Sequence, residues 1–321
     1  MPHTHAFRRR HILIPIVTLS LMLGLSGCSN YDSSPQVPVE EAVGIEIAQP
    51  RVTVINEGTG AKTPLRFADI DNRRTVEVLI GDGFSQELRR KDSGHTPAPL
   101  KAEAVEPRVL HSTATVVTKK AENSTSTRSV FVQLNTPEFV TPTKESLNED
   151  LATARGFGFG WFASDTGEIS SVNFTAPTQA TDNARALVEQ HLLTLTGLPV
   201  VFPEAAVGVG ASWTVESRVQ AAAQTYLQTV TYTLKSFDAD STSVVLGVDV
   251  AQRPSLGALD ADGKQLKVVH TESATEGELK VDLGSPLPVS GKIATSTQVV
   301  YGEESSEVDV VQESTLTVEF R

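Results

Sequence analysis

The clearest signal along the chain is a period-two alternation of apolar and polar positions in its C-terminal half. Trp213, Val215 and Val219 lead into Tyr226, Val230, Tyr232 and Leu234, and then into Val244, Leu246, Val248 and Val250. Successive side chains of a strand point to opposite faces, so this alternation predicts strands with one buried face. Further strands are predicted at Leu266 to Val269, Leu279 to Leu283, Ile293 to Tyr301 and Leu316 to Phe320, with turns at Asp238-Ala239-Asp240 and Asp260-Ala261-Asp262-Gly263.

The N-terminal half carries the same pattern in shorter pieces. Arg51 to Ile55 ends at Asn56-Glu57-Gly58, Thr75 to Ile80 is closed by Gly81-Asp82-Gly83, and Val109 to Thr118 and Thr127 to Leu134 form a hairpin. Between them, the charges and prolines of Glu87 to Pro107 read as a long loop. Phe157, Phe159 and Trp161 alternate with Gly158, Gly160 and Phe162, and Asp165-Thr166-Gly167 turns that strand into Ile169 to Phe174.

Helical periodicity occurs twice. Ser146 to Ala154 places Leu147, Leu151 and Ala154 on one side, before Gly156; Thr181 to Thr196 places Ala184, Leu187, Val188, His191, Leu192 and Leu195 on one face, with Gly197 capping the end. Short connections and few helical crossovers favour an antiparallel meander over a parallel α/β sheet. The expected fold is mainly β (α+β), with one large antiparallel curved sheet or half-barrel and two helices over its concave face. Two smaller domains divided near Pro142 are the competing arrangement.

The N-terminus changes the picture, because it supplies an address. Arg8, Arg9 and Arg10 form a positive region and Ile12 to Gly24 an apolar one, too short for a comfortable membrane-spanning helix and interrupted by Pro15. Leu25-Ser26-Gly27-Cys28 follows, with the one cysteine of the chain. This stretch resembles the bacterial lipobox. The resemblance implies cleavage between Gly27 and Cys28, a covalent diacylglycerol on Cys28, and anchoring at the extracytoplasmic face of the cell membrane. Ser29, in place of an aspartate, implies the outer membrane if the host is Gram-negative. Arg9-Arg10-His11-Ile12-Leu13 also resembles a twin-arginine export signal, although Arg8 stands where such signals carry Ser or Thr.

The expected organisation is a signal peptide over residues 1–27, a flexible tether over residues 28–50 rich in Ser, Pro and acidic residues, and a β-rich domain over residues 51–321. Loss of Arg8, Arg9 and Arg10 takes the net charge of −12 to −15. That acidity argues against nucleic acid and against adsorption to anionic lipid, so attachment rests on Cys28. With its thiol acylated, the mature chain has no disulfide framework and no thiolate nucleophile.

Candidate chemistry is sparse. Asp165-Thr166-Gly167 and Asp92-Ser93-Gly94 resemble aspartic-protease triplets only superficially, since Arg89-Arg90-Lys91 precedes one of them, and both read as turns. His95, His111, His191 and His270 lack metal-ligand spacing, and His191 sits on an apolar helix face. Gly156-Phe157-Gly158-Phe159-Gly160 and Gly208-Val209-Gly210 do not lie between a strand and a helix, as phosphate cradling requires. Asp260, Asp262 and Gly263 form only part of a calcium loop. Asn123-Ser124-Thr125 and Asn173-Phe174-Thr175 fit a glycosylation pattern that the lipobox makes irrelevant. Trp161, Trp213, Tyr226 and Tyr232 line either a ligand cavity or the core.

Pro203 to Trp213 and Leu287-Pro288-Val289-Ser290-Gly291 are similar to segments of a family of uncharacterised bacterial secreted proteins and lipoproteins, over roughly the C-terminal half. That family brings no activity and no functional residue. In architecture the expected domain is similar to half-barrel lipoproteins that carry lipids or lipoproteins across bacterial envelopes. The expectation is therefore a non-enzymatic envelope lipoprotein with no cofactor beyond the diacylglycerol on Cys28, binding a hydrophobic ligand or lipid in its curved sheet. The alternative is a scaffold or protein-interaction lipoprotein in envelope assembly or signalling.

Overall fold

The computed structural model describes residues 38–91, 98–122, 126–140, 145–221, 224–261 and 264–321. The signal region, Cys28, the first part of the tether, Asp92-Ser93-Gly94, His95, Asn123-Ser124-Thr125, Pro142, Asp262 and Gly263 lie outside the described residues. Residues 37–321 form one unit, so no division falls near position 142.

The chain makes one large antiparallel curved sheet that does not close into a barrel. Its path begins at the edge strand β1 (Val43–Glu46); β2 (Arg51–Asn56) is the opposite edge, and β3 (Thr59–Thr63) lies off the sheet. The next strands are β4 (Arg73–Arg90), β5 (Arg108–Lys120), β6 (Arg128–Leu134) and the short β7 (Glu138–Phe139). Helix α1 (Glu145–Ala152), β8 (Gly158–Ala163), β9 (Ile169–Thr175) and helix α2 (Asp182–Gly197) follow. The C-terminal half is β10 (Val207–Val209), β11 (Ser212–Ala221), β12 (Gln224–Asp238), β13 (Ser243–Pro254), β14 (Ala258–Ala261), β15 (Lys264–Asp282), β16 (Ser290–Gly302) and β17 (Val308–Phe320).

In space the order is β1-β9-β8-β6-β5-β4-β17-β16-β15-β13-β12-β11-β2, with β7 beside β5, β14 beside β15, and β10 paired separately with β3. The two ends of this path are consecutive in sequence. Residues 47–50 lead straight from β1, on one edge, to β2, on the other, so a single extended segment spans the seam of the curled sheet. Pairing thus starts before Arg51, where the sequence suggested a flexible tether. Val39 bridges Pro177, and Arg185 of α2 makes two hydrogen bonds of 2.7 and 2.9 Å to Glu40.

The inner face is apolar and continuous. Val76, Val78 and Ile80 of β4, Phe159 and Trp161 of β8, Tyr232 and Leu234 of β12, Leu246 of β13 and Val318 of β17 share one core with Ala184, Val188 and Leu192 of α2. Helix α2 begins at Thr181, whose hydroxyl accepts from the Ala184 N–H, the N-cap arrangement that satisfies an otherwise unpaired donor. Its end differs from expectation: Gly197 is the last helical residue and Leu198 is the cap. Helix α1 buries Leu151 completely, with Leu147 packed against the same core.

Two strands run further than their patterns predicted. Gly81-Asp82-Gly83 does not end β4 but lies inside it, because residues 105–107 cross the outer face there. A Cβ on Gly81 would come within 2.4 Å of Thr317 Oγ1 and 3.0 Å of Pro107 Cβ, and one on Gly83 within 3.1 Å of the Glu106 carbonyl. Leu266 to Val269 and Leu279 to Asp282 are likewise one strand, β15, which ends before Leu283. Its middle looks polar because Ser273 and Thr275 face inward and replace backbone pairing: Gln252 N donates to Ser273 Oγ at 3.0 Å and Val250 N to Thr275 Oγ1 at 3.1 Å.

Candidate functional site

The inner face of a curved sheet is the natural place for an apolar ligand, and here side chains fill it. Trp213 is fully buried, stacks on Tyr232 with ring centroids 5.7 Å apart, and donates its indole N–H to the Val201 carbonyl at 2.7 Å. Tyr232 donates its phenol to the Pro199 carbonyl at 2.6 Å, and burial pushes its ionisation well above the ordinary range. Residues 199–202 are thereby tied across the sheet by two buried aromatic donors. Tyr226 packs with Val299 and Tyr301 in a second, smaller cluster, where burial first and the neighbouring Tyr301 second push its phenol up to about 12. Trp213, Tyr226 and Tyr232 are core, whereas Trp161, also buried, borders a cavity.

A cavity of about 50 Å³ is bordered by Phe67, Trp161, Leu195, Val281, Val318 and Phe320. An apolar cavity that takes up one benzene measures about 150 Å³. An acyl chain therefore requires α2 or the segment after it to move. A larger cleft, about 460 Å³, opens on the outer face under residues 98–101, but Glu87, Arg89, Lys101 and Glu313 line it. Burying an alkyl chain there would desolvate charges without replacing their water.

One buried cluster combines an acid, an imidazole and a guanidinium. Asp82, on the inner face of β4, lies 3.0 Å from His191 Nε2 and 3.2 Å from Gln190 Nε2, while His191 Nδ1 is 2.7 Å from the Leu187 carbonyl. Burial works to raise the Asp82 carboxyl, yet the close contact with His191 and the charges of His191 and Arg108 outweigh it and hold the group below the usual carboxylate range. The Arg108 guanidinium in turn lies 4.8 Å from the centre of the Phe139 ring, which is 5.6 Å from the His191 ring. This cluster pins α2 to β4.

The remaining sequence candidates do not converge. Asp165-Thr166-Gly167 is a turn: Gly167 has φ +100°, and a Cβ there would come within 2.2 Å of the Val200 carbonyl. His111 lies on the outer side between Glu77 and Glu138, and His270 is exposed near Glu272. Gly158 and Gly160 stand opposite Thr175 and Asn173, whose side chains occupy the room a Cβ would need. Gly208 allows the Thr59 backbone to cross. Among the described residues, no three His, Cys, Asp or Glu side chains gather as a metal site, and no helix is long and apolar enough to cross a membrane.

Two features escaped the sequence reading. Arg128 and Asp69 form a buried ion pair, because their positions are 59 residues apart and only the fold joins them. The second is at the surface. Strand β4 continues to Arg90 beside β17, whereas β5 begins at Arg108, opposite Asp82, leaving the other edge of Gly83–Arg90 without a strand partner among the described residues. Phe84 and Leu88 on that stretch are 50% and 71% exposed. The sequence signal was present as Phe84-Ser85-Gln86-Glu87-Leu88, but the preceding glycines read as a stop.

Of residues 203–213 and 287–291, Trp213 is core as above and Leu287 is buried beside the 50 Å³ cavity. Neither brings a reactive group. No known family model and no curated protein matches the chain.

Proposed function

We propose that the mature protein is a non-enzymatic envelope lipoprotein, held at the extracytoplasmic face of a bacterial membrane through a diacylglycerol on Cys28, and that it acts by protein interaction or scaffolding. The observation that supports this reading is the occupied inner face: α2, Trp213, Tyr232 and residues 199–202 take the space in which a carried lipid would sit. Exposed apolar side chains at Val43, Phe84, Leu88, Leu256 and Val269 lie on strand edges and tips. Such positions suit contacts with another polypeptide.

A second reading, lipid carriage, draws on the apolar cavity beneath Leu195 and needs α2 to swing away from the sheet. Native mass spectrometry of protein from its own host, combined with crosslinking in cells, separates the two. A reproducible protein neighbour without co-purifying lipid fits the interaction role; stoichiometric lipid replaces it with the carrier role. Cys28→Ala tests the anchor, since the variant should lose its acyl mass. An acyl group that persists in the variant would remove the lipoprotein assignment.

A further inference from the structure

Residues 98–105 form a strap over the outer face of the sheet. Its second half is pinned there: the Ala104 N–H donates to Ser296 Oγ and the Val105 N–H to Thr315 Oγ1, both at 2.9 Å, Ser296 Oγ donates to the Ala102 carbonyl at 2.9 Å, and Lys292 bonds Glu103. Its first half stands off, and the cleft of about 460 Å³ lies between it and the sheet. That volume is within the range of small-ligand sites.

The two walls differ in chemistry. Pro99 and Leu100 make the strap side apolar, whereas the sheet side carries Glu87 and Arg89 of β4 and Glu313 of β17, and Lys101 borders the cleft from the strap. Glu87 stands opposite Val311, so Glu313 is its diagonal neighbour on the same face, about 7–8 Å away. Each carboxylate is half satisfied. Glu87 Oε1 accepts from Arg89 at 3.0 Å and Glu313 Oε1 from Gln298 at 2.6 Å, while neither second oxygen has a partner among the described residues. Lys101 has no carboxylate within 4 Å among the described residues.

Two carboxylates in this relation repel, and a cation placed between them removes the repulsion. A simple cation would leave Lys101 and the apolar wall unused, and a neutral sugar would displace water from the charges without compensating them. An occupant that meets every wall carries an ammonium, a carboxylate and a modest apolar side. We propose that this cleft binds a short peptide with free termini, its ammonium between Glu87 and Glu313, its carboxylate on Lys101 and its side chains under Leu100 and Pro99. The inference does not rest on the envelope reading, because the cleft is present with or without the anchor.

The test is equilibrium dialysis of the full chain in detergent against alanyl-leucine, with N-acetyl-alanyl-leucinamide as the blocked control. The free dipeptide should bind saturably with a Kd of about 1 mM or below, and the blocked one at least about tenfold more weakly. Lys101→Gln and Glu87→Gln, both at exposed positions, should keep the circular dichroism of the parent and each weaken binding about tenfold, while Lys101→Arg should retain it. Absence of saturable binding, equal binding of the blocked dipeptide, or an affinity that Lys101→Gln leaves unchanged overturns the proposal.

Discussion

Arg128 grips Asp69 with two parallel hydrogen bonds, Nε to Oδ1 at 2.7 Å and Nη2 to Oδ2 at 2.6 Å, and both side chains are almost wholly buried. The Phe67 ring lies 4.1 Å from the guanidinium carbon, and Thr118 donates to the same carboxylate at 3.1 Å. The pair ties the segment before β4 to β6. Arg128→Met should cost about 3–5 kcal/mol, because it leaves a buried charge uncompensated. Replacing both partners by apolar residues, as Asp69→Leu with Arg128→Met, should recover most of that loss. Urea unfolding of the single and double variants measures both quantities.

The contact between Asp82 and His191 makes stability depend on acid. The Asp82 carboxyl is held below its unfolded value, so its contribution is present above the unfolded range near 4 and fades as the pH falls through the lower, folded value. Asp82→Asn should therefore lower stability at neutral pH, and the gap to the unmodified protein should narrow progressively below about pH 4. A gap independent of pH would show that the carboxylate charge contributes nothing.

At the alkaline end the phenols dominate. Burial raises the ionisation of Tyr232 and Tyr226, so stability is full below the unfolded value near 10 and is lost as the pH rises above it. Absorbance at the phenolate band should show these two tyrosines titrating late, in step with loss of near-ultraviolet circular dichroism. Tyr232→Phe should cost about 1–3 kcal/mol at neutral pH, since it strands the buried Pro199 carbonyl.

Gly167→Ala should destabilise the protein by about 1–3 kcal/mol, because φ +100° and the approach of Val200 leave no place for a methyl group. Asp165→Asn, at the half-exposed start of the same turn, should stay within about 0.5 kcal/mol of the parent. Thermal unfolding of the two variants separates a glycine needed for shape from an aspartate whose ion pair with Arg66 is half-exposed.

The sequence carried the antiparallel meander well, since alternation at Tyr226 to Leu234 and Val244 to Val250 follows directly from one buried face, and helical spacing located α2 from Thr181 onward. Positions whose chemistry serves a distant crossing were illegible. Gly81 and Gly83 look like a turn but make way for residues 105–107; Ser273 and Thr275 look like loop but bond the backbone of β13. Strand β2 was legible as the run Arg51 to Ile55, but β1 was hidden, because a strand of four exposed residues at the sheet edge buries little and shows no alternation. The candidate site fared similarly: the apolar residues were visible, but whether they enclosed space or filled it depended on residues 199–202.

The last strand of the chain occupies the middle of the sheet. Residues 308–320 of β17 sit between β16 and residues 78–90 of β4, more than two hundred positions earlier. A chain synthesised N-terminus first must hold β4 with an empty side until residues 308–320 arrive. Folding is then governed by completion of synthesis, and a truncated or stalled product is left with two half-sheets and an open strand between them. Loss of even the C-terminal strand would therefore remove the joint between the halves, where loss of an edge strand would merely shorten the sheet.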